Sequence, residues 1–132
     1  MTHFTIDELT RSTEARVRHI DNTPPPEAVA ALTALVDNIL DPLRRAWGRP
    51  VTVTSGYRCH ALNRAVGGSP TSHHLRGMAA DITTGNNADN RRLFQLAIDL
   101  GLPFTQLIDE RDFSWVHISY DPDNVKRQIL RL

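Results

Sequence analysis

The sequence predicts an α+β fold, and three observations carry that prediction. Apolar residues recur at helical spacing through residues 27–47. Short alternating or apolar segments follow at residues 51–54, 79–82, 106–108 and 115–119. A second helical pattern, residues 88–100, lies among them. Helices first, then short strands mixed with helices, indicate α+β.

Taken in order, Pro24, Pro25 and Pro26 read as a helix start, because proline is tolerated in a first turn whose N–H groups have no intrahelical partner. Val29, Leu32, Val36, Ile39, Leu43 and Trp47 then form one apolar stripe. Pro42 should kink or divide this helix near Asp41. Residues 51–54, Val-Thr-Val-Thr, alternate as a strand does. Residues 60–66 fit a short helix stopped by Gly67 and Gly68. Residues 79–82 and 106–108 read as short strands. In the second long helix Asn87 is the expected N-cap, Leu93, Leu96, Ala97 and Leu100 share a face, and Gly101 stands just past the end. Residues 115–119 alternate again, and the turn-like residues 110–114 should join them to the preceding strand as an antiparallel hairpin.

Composition bounds what such a chain can do. With 132 residues, 40% hydrophobic and 23% charged, it suits one globular domain over residues 1–132, without internal repeat or linker. Fifteen basic and fifteen acidic residues cancel, evenly along the chain, which disfavours nucleic-acid binding. No apolar run approaches the roughly 18 residues of a membrane span. The first residues show no basic stretch followed by an apolar core, so no secretory signal is expected. The single Cys59 excludes an internal disulfide. A monomer is expected.

The chemistry gathers in SHHLRGMAAD. His74 and Asp81 lie seven residues apart, and the small Gly77, Ala79 and Ala80 between them let the backbone curl so that both side chains meet one ion. His117, in the WVHIS segment, offers a third ligand. Two histidines and one carboxylate suffice for a catalytic zinc with a fourth position left for water. On spacing alone, a turn capped by Asp81 with an exposed His pair explains the segment equally well.

The same segment fits the pattern S-x-H-x-x-G-x-A-x-D, with Ser72, His74, Gly77, Ala79 and Asp81 in its fixed positions. Before it stand SGYR and LNRAVGG, and after it QLIDE and WVHIS. FTIDELTRS and the NTPPPEAV helix precede them all. On these motifs the chain resembles the zinc D-Ala-D-Ala carboxypeptidases and the related phage and prophage endolysins. The resemblance implies a hedgehog-like fold, a small antiparallel sheet with packed helices and zinc in a cleft. It implies zinc held by His74, Asp81 and His117, and hydrolysis of peptidoglycan stem peptides in the cell wall by a metallopeptidase. Such an enzyme, made without a signal peptide, would reach the wall through holin-type release or on a virion. A non-catalytic wall-binding or phage structural module of the same fold is the alternative reading.

The base that moves the proton is where this chain departs from its relatives. Three residues before His117 it has Ser114, where the family's usual acid would stand. Glu110 and Asp112 are the remaining local candidates, with Glu110 favoured because it resembles the glutamate of the phage-branch QLI-x-E segment. Asp109 should point away if the strand alternates. The resemblance places Arg58 at the cleft, to stabilise an oxyanion or hold a substrate carboxylate; a salt bridge is the plainer role. Ser72 is expected to contact substrate or to cap the turn that carries His74. Gln106 is expected to line the cleft. Tyr57 and Trp115 read as framing residues, and Cys59 as a small thiol rather than a nucleophile.

Overall fold

Two short helices open the chain in the computed structural model, which describes residues 1–132. They are α1 (Ile6–Thr10) and α2 (Thr13–Val17), and neither is among the elements that the sequence pattern predicts. Each starts from a side-chain cap. Thr5 and Glu8 form a reciprocal capping box, and the Ser12 hydroxyl accepts from the Ala15 amide.

The long helical stripe is real, and it is divided near Asp41, as Pro42 predicts. Helix α3 (Pro26–Leu35) passes through one π turn (Val36–Leu40) into α4 (Asp41–Trp47). Pro42 has no N–H to give the ladder, and the wider turn just before it absorbs the misfit while the helical path continues. Gly48, with φ of 75°, ends α4 in the left-handed conformation.

Five strands form one sheet in the order β1-β2-β4-β3-β5: β1 (Thr52–Ser55), β2 (Ala79–Thr83), β3 (Gln106–Glu110), β4 (Trp115–Ser119) and β5 (Gln128–Arg131). The first four pair antiparallel, as expected. Strand β5, which the sequence pattern does not predict, adds parallel to β3. Between them lie α5 (His60–Ala65), a 3₁₀ turn (His73–Arg76) and α6 (Asn87–Asp99). The N-cap of α6 is Asn86 rather than Asn87; its side chain accepts from the Asp89 amide at 2.8 Å.

Register divides the sheet into two faces. Ala80, Ile82, Leu107, Val116 and Ile118 are buried with Leu32, Leu35, Ile39, Leu43 and Leu93 from the helices. Each large apolar side chain among them contributes roughly 1.5–3 kcal/mol by leaving water. On the other face Ser55, Asp81, His117 and Ile108 are successive register partners and form one row across β1, β2, β4 and β3. The site is built on that row.

Candidate metal centre

Asp81 and His117 face each other because β2 and β4 pair them directly. Asp81 Oδ1 lies 3.0 Å from His117 Nδ1. His74 arrives from the 3₁₀ turn. The Ser72 hydroxyl caps that turn by accepting from the His74 amide at 3.2 Å, and Gly77 closes it with φ of 73°. A Cβ at Gly77 would stand 2.6 Å from the Ala28 carbonyl oxygen, so glycine alone fits there.

His74 is 3% exposed, and its Nδ1 donates to the Gly56 carbonyl at 2.6 Å. A carbonyl oxygen only accepts, so the ring proton sits on Nδ1 and the bare Nε2 turns to Asp81 Oδ1, 3.3 Å away. Two lone pairs thus confront each other, an arrangement that a cation relieves. The three ligand atoms lie within 4.8 Å of one another. A tetrahedral zinc with bonds of about 2.0–2.2 Å separates its ligand atoms by roughly 3.3–3.6 Å, close to the spacing found. The donor set, its tautomer and its spacing therefore fit a metal ion.

Burial alone would raise the Asp81 carboxyl. In the metal-free protein the neighbouring His117 and His74 rings outweigh that effect and hold the group well below the usual carboxylate range. Asp81 Oδ2 meets Arg58 Nη2 at 3.4 Å. Arg58 is itself fixed, Nε donating to Ser55 Oγ at 3.0 Å and Nη1 to Asn63 Oδ1 at 3.1 Å. Burial lowers its guanidinium pKa, and Asp81 opposes that shift. The guanidinium is thus a buried partner of the Asp81 carboxylate, and these bonds leave some of its five N–H groups unengaged.

Glu110 is the last residue of β3. It pairs with Trp115, two residues along from His117, and so stands on the His117 face. Partial burial, then the charge of Asp81, pushes its carboxyl above the ordinary glutamate value. Asp109 stands on the opposite face, buried, where it accepts from the Phe113 amide at 2.6 Å. Asp112 is exposed in a turn whose carbonyl accepts from Asn87 at 2.9 Å, and the structure does not bring it to the cluster. Ser114 closes the same turn through its hydroxyl, which donates to the Arg111 carbonyl.

Of the other expected site residues, Ser72 is the cap described above, and Gln106 donates to Gln128 at 2.9 Å between β3 and β5. Tyr57 is buried, and Trp115 is half-buried beneath the Arg111 guanidinium, 5.5 Å away. Cys59 is the N-cap of α5. Three further residues serve the site without being predicted from the sequence: Asn63 and Ser55, which hold Arg58, and Gly56, which fixes the His74 tautomer. Each lies inside or beside the SGYR and LNRAVGG segments, but a backbone carbonyl and two neutral side chains carry no chemical signature of their own.

A family model described as Peptidase M15 matches residues 2–119. No curated protein gives a match that would supply a substrate.

Proposed function

Because the chain belongs to the peptidase M15 family, we propose that it is a zinc-dependent hydrolase of peptidoglycan stem peptides, cutting as a D-Ala-D-Ala-type carboxypeptidase or a related endopeptidase. The observation that carries the reading is the cluster of His74, Asp81 and His117 with Glu110 on the same sheet face. His74 Nε2, His117 Nδ1 and an Asp81 oxygen would hold the zinc. Bound there, zinc supplies Lewis acidity at the scissile carbonyl and a lowered pKa for the attacking water.

The remaining work falls to side chains of the chain itself. Glu110 takes the proton of the attacking water and delivers it to the nitrogen of the leaving amine, so that the amide bond breaks with the proton count unchanged. Its raised pKa makes it a stronger proton acceptor than an ordinary glutamate. Arg58 keeps Asp81 oriented and offers its free N–H groups to an oxyanion or substrate carboxylate.

The test is mass spectrometry of purified muropeptides incubated with zinc-loaded protein, which reports cleavage and the bond cut together. Zinc uptake without cleavage of any stem peptide would overturn the enzymatic reading in favour of a non-catalytic wall-binding module.

A further inference from the structure

Beside the metal centre runs a cleft of about 450 Å³ along β1, lined by β1 itself, the α1–α2 corner, Arg58 and the α5 side chain Leu62 with the adjacent Val66. That volume is within the roughly 300–1,000 Å³ typical of ligand clefts. Strand β1 is the outer strand of the sheet. No backbone hydrogen bond joins residues 51–55 to anything beyond the sheet, so the outward N–H and C=O groups have no backbone partner. Proteins usually guard such an edge with charged side chains, proline or a covering element. Here Pro50 stands before the strand, but Thr52, Val53, Thr54 and Ser55 carry no charge. The two N-terminal helices flank the edge and leave a cleft.

The cleft abuts the metal centre through two shared residues, while His74, Asp81, His117 and Glu110 lie outside its lining. Ser55 is the register partner of Asp81, and Arg58 both lines the cleft and pairs with Asp81 at 3.4 Å. The rim carries both signs of charge. Glu8, Arg11 and Glu14 line it, with Arg11 and Glu14 engaged in exposed pairs to Asp7 and Arg18 that exchange readily for a ligand's charges. Free strand amides, an apolar strip and a zwitterionic rim match one class of ligand: an extended peptide bearing both carboxylate and amine groups.

We propose that this cleft seats the extended stem of the substrate against β1, beside the scissile bond at the metal centre. The inference rests on the peptidoglycan-peptidase reading above. Two observations test it. The first is kinetics of Val66→Trp and Thr13→Trp, surface changes that fill the cleft away from the metal ligands. Both should raise KM about tenfold on muropeptides with kcat and zinc content unchanged, the signature of lost uniform binding. The second is amide NMR of zinc-loaded Glu110→Gln protein titrated with a stem peptide, where residues 52–55, 62 and 66 should shift. Unchanged KM in both filled variants, or shifts confined to the surroundings of His117 and Trp115, would overturn the inference while cleavage by the unaltered protein upholds the peptidase reading. If the unaltered protein cuts no stem peptide, both readings fall. If the edge instead pairs two copies, seen as a concentration-dependent dimer that β1 substitutions abolish, the cleft is a self-association surface and the inference is wrong.

Discussion

Arg58 and Asp81 form an ion pair of 3.4 Å between side chains only 13% and 10% exposed. The two Asp81 oxygens divide their partners: Oδ1 faces both histidines, and Oδ2 faces the arginine. A carboxylate gripped from behind cannot swing away from the two histidines. Removing one partner of a buried pair leaves the other uncompensated, at a cost of about 3–5 kcal/mol.

Arg58→Ala should therefore weaken metal affinity roughly 10- to 100-fold, as loss of an outer partner does elsewhere. Turnover at saturating zinc should fall by roughly two to three orders of magnitude if the guanidinium also stabilises an oxyanion. Arg58→Lys should recover little, because an ammonium cannot reach Ser55, Asn63 and Asp81 together. Competitive zinc titration and muropeptide turnover separate the two losses.

Metal content is expected to depend on each ligand. His74→Ala and His117→Ala proteins should lose most of their zinc by elemental analysis; full occupancy in both would refute the ligand set. Affinity should also decline on acidification, because protons compete with the metal for the imidazole nitrogens. The thermal stabilisation produced by zinc should fade with it.

Glu110→Gln should retain fold and zinc while losing roughly two to four orders of magnitude in rate. Asp112→Asn should act nearly as the unaltered protein, since that side chain is exposed in the turn. The pH dependence has a definite sign. In metal-free protein the Glu110 carboxyl titrates above its unfolded value, so its contribution to folding is present at low pH and lost as pH rises through the folded pKa. At neutral pH its charge is a penalty, and Glu110→Gln should leave metal-free stability unchanged or higher. Asp81 is the reverse case: its depressed pKa stabilises above the unfolded value near pH 4 and is lost on acidification. Carboxyl-resolved NMR titration follows both groups.

Gly56→Ala is predicted to damage fold and site together. An added Cβ would stand 2.1 Å from the Leu9 carbonyl oxygen, and backbone cannot yield that distance. The Gly56 carbonyl also fixes the His74 proton on Nδ1. A lowered melting temperature with weakened zinc binding is expected. An alanine variant that melts and binds zinc like the parent would show that the Gly56 tether is dispensable.

Much of this arrangement is legible in the residues. Period-2 alternation places Asp109 and Glu110 on opposite faces, and helical spacing marks the stripe from Val29 to Trp47. What escapes has physical reasons. Helices α1 and α2 are five residues each, too short to show a period, although the Thr5–Glu8 box and the Ser12 cap are present as signals. Strand β5 alternates only between half-buried and exposed positions, and its parallel pairing with β3 follows no turn that a sequence displays. Pro42 signals the division near Asp41, but a single proline does not announce that the turn before it widens. Gly56 serves the site through its carbonyl, which every residue possesses.

The hairpin after Glu110 carries a further implication. Arg111, Asp112 and Phe113 all have positive φ, 50°, 55° and 61°, in a left-handed turn that non-glycine residues seldom adopt. It is kept in place from outside, by the Asp109 carboxylate on the Phe113 amide and by the Phe113 ring set edge-on against Phe94. His117 and Asp81 sit on paired central strands, and His74 is tied to Gly56, so none of the ligands depends on this turn. Glu110, the proposed proton carrier, stands at its threshold. The molecule therefore divides into a part that carries the proposed metal ligands and a part that can be re-tuned. Replacing residues 111–113 with a relaxed, glycine-bearing turn is a route to altered catalytic pH or substrate preference at constant metal affinity, and a natural path along which relatives of this chain could diverge.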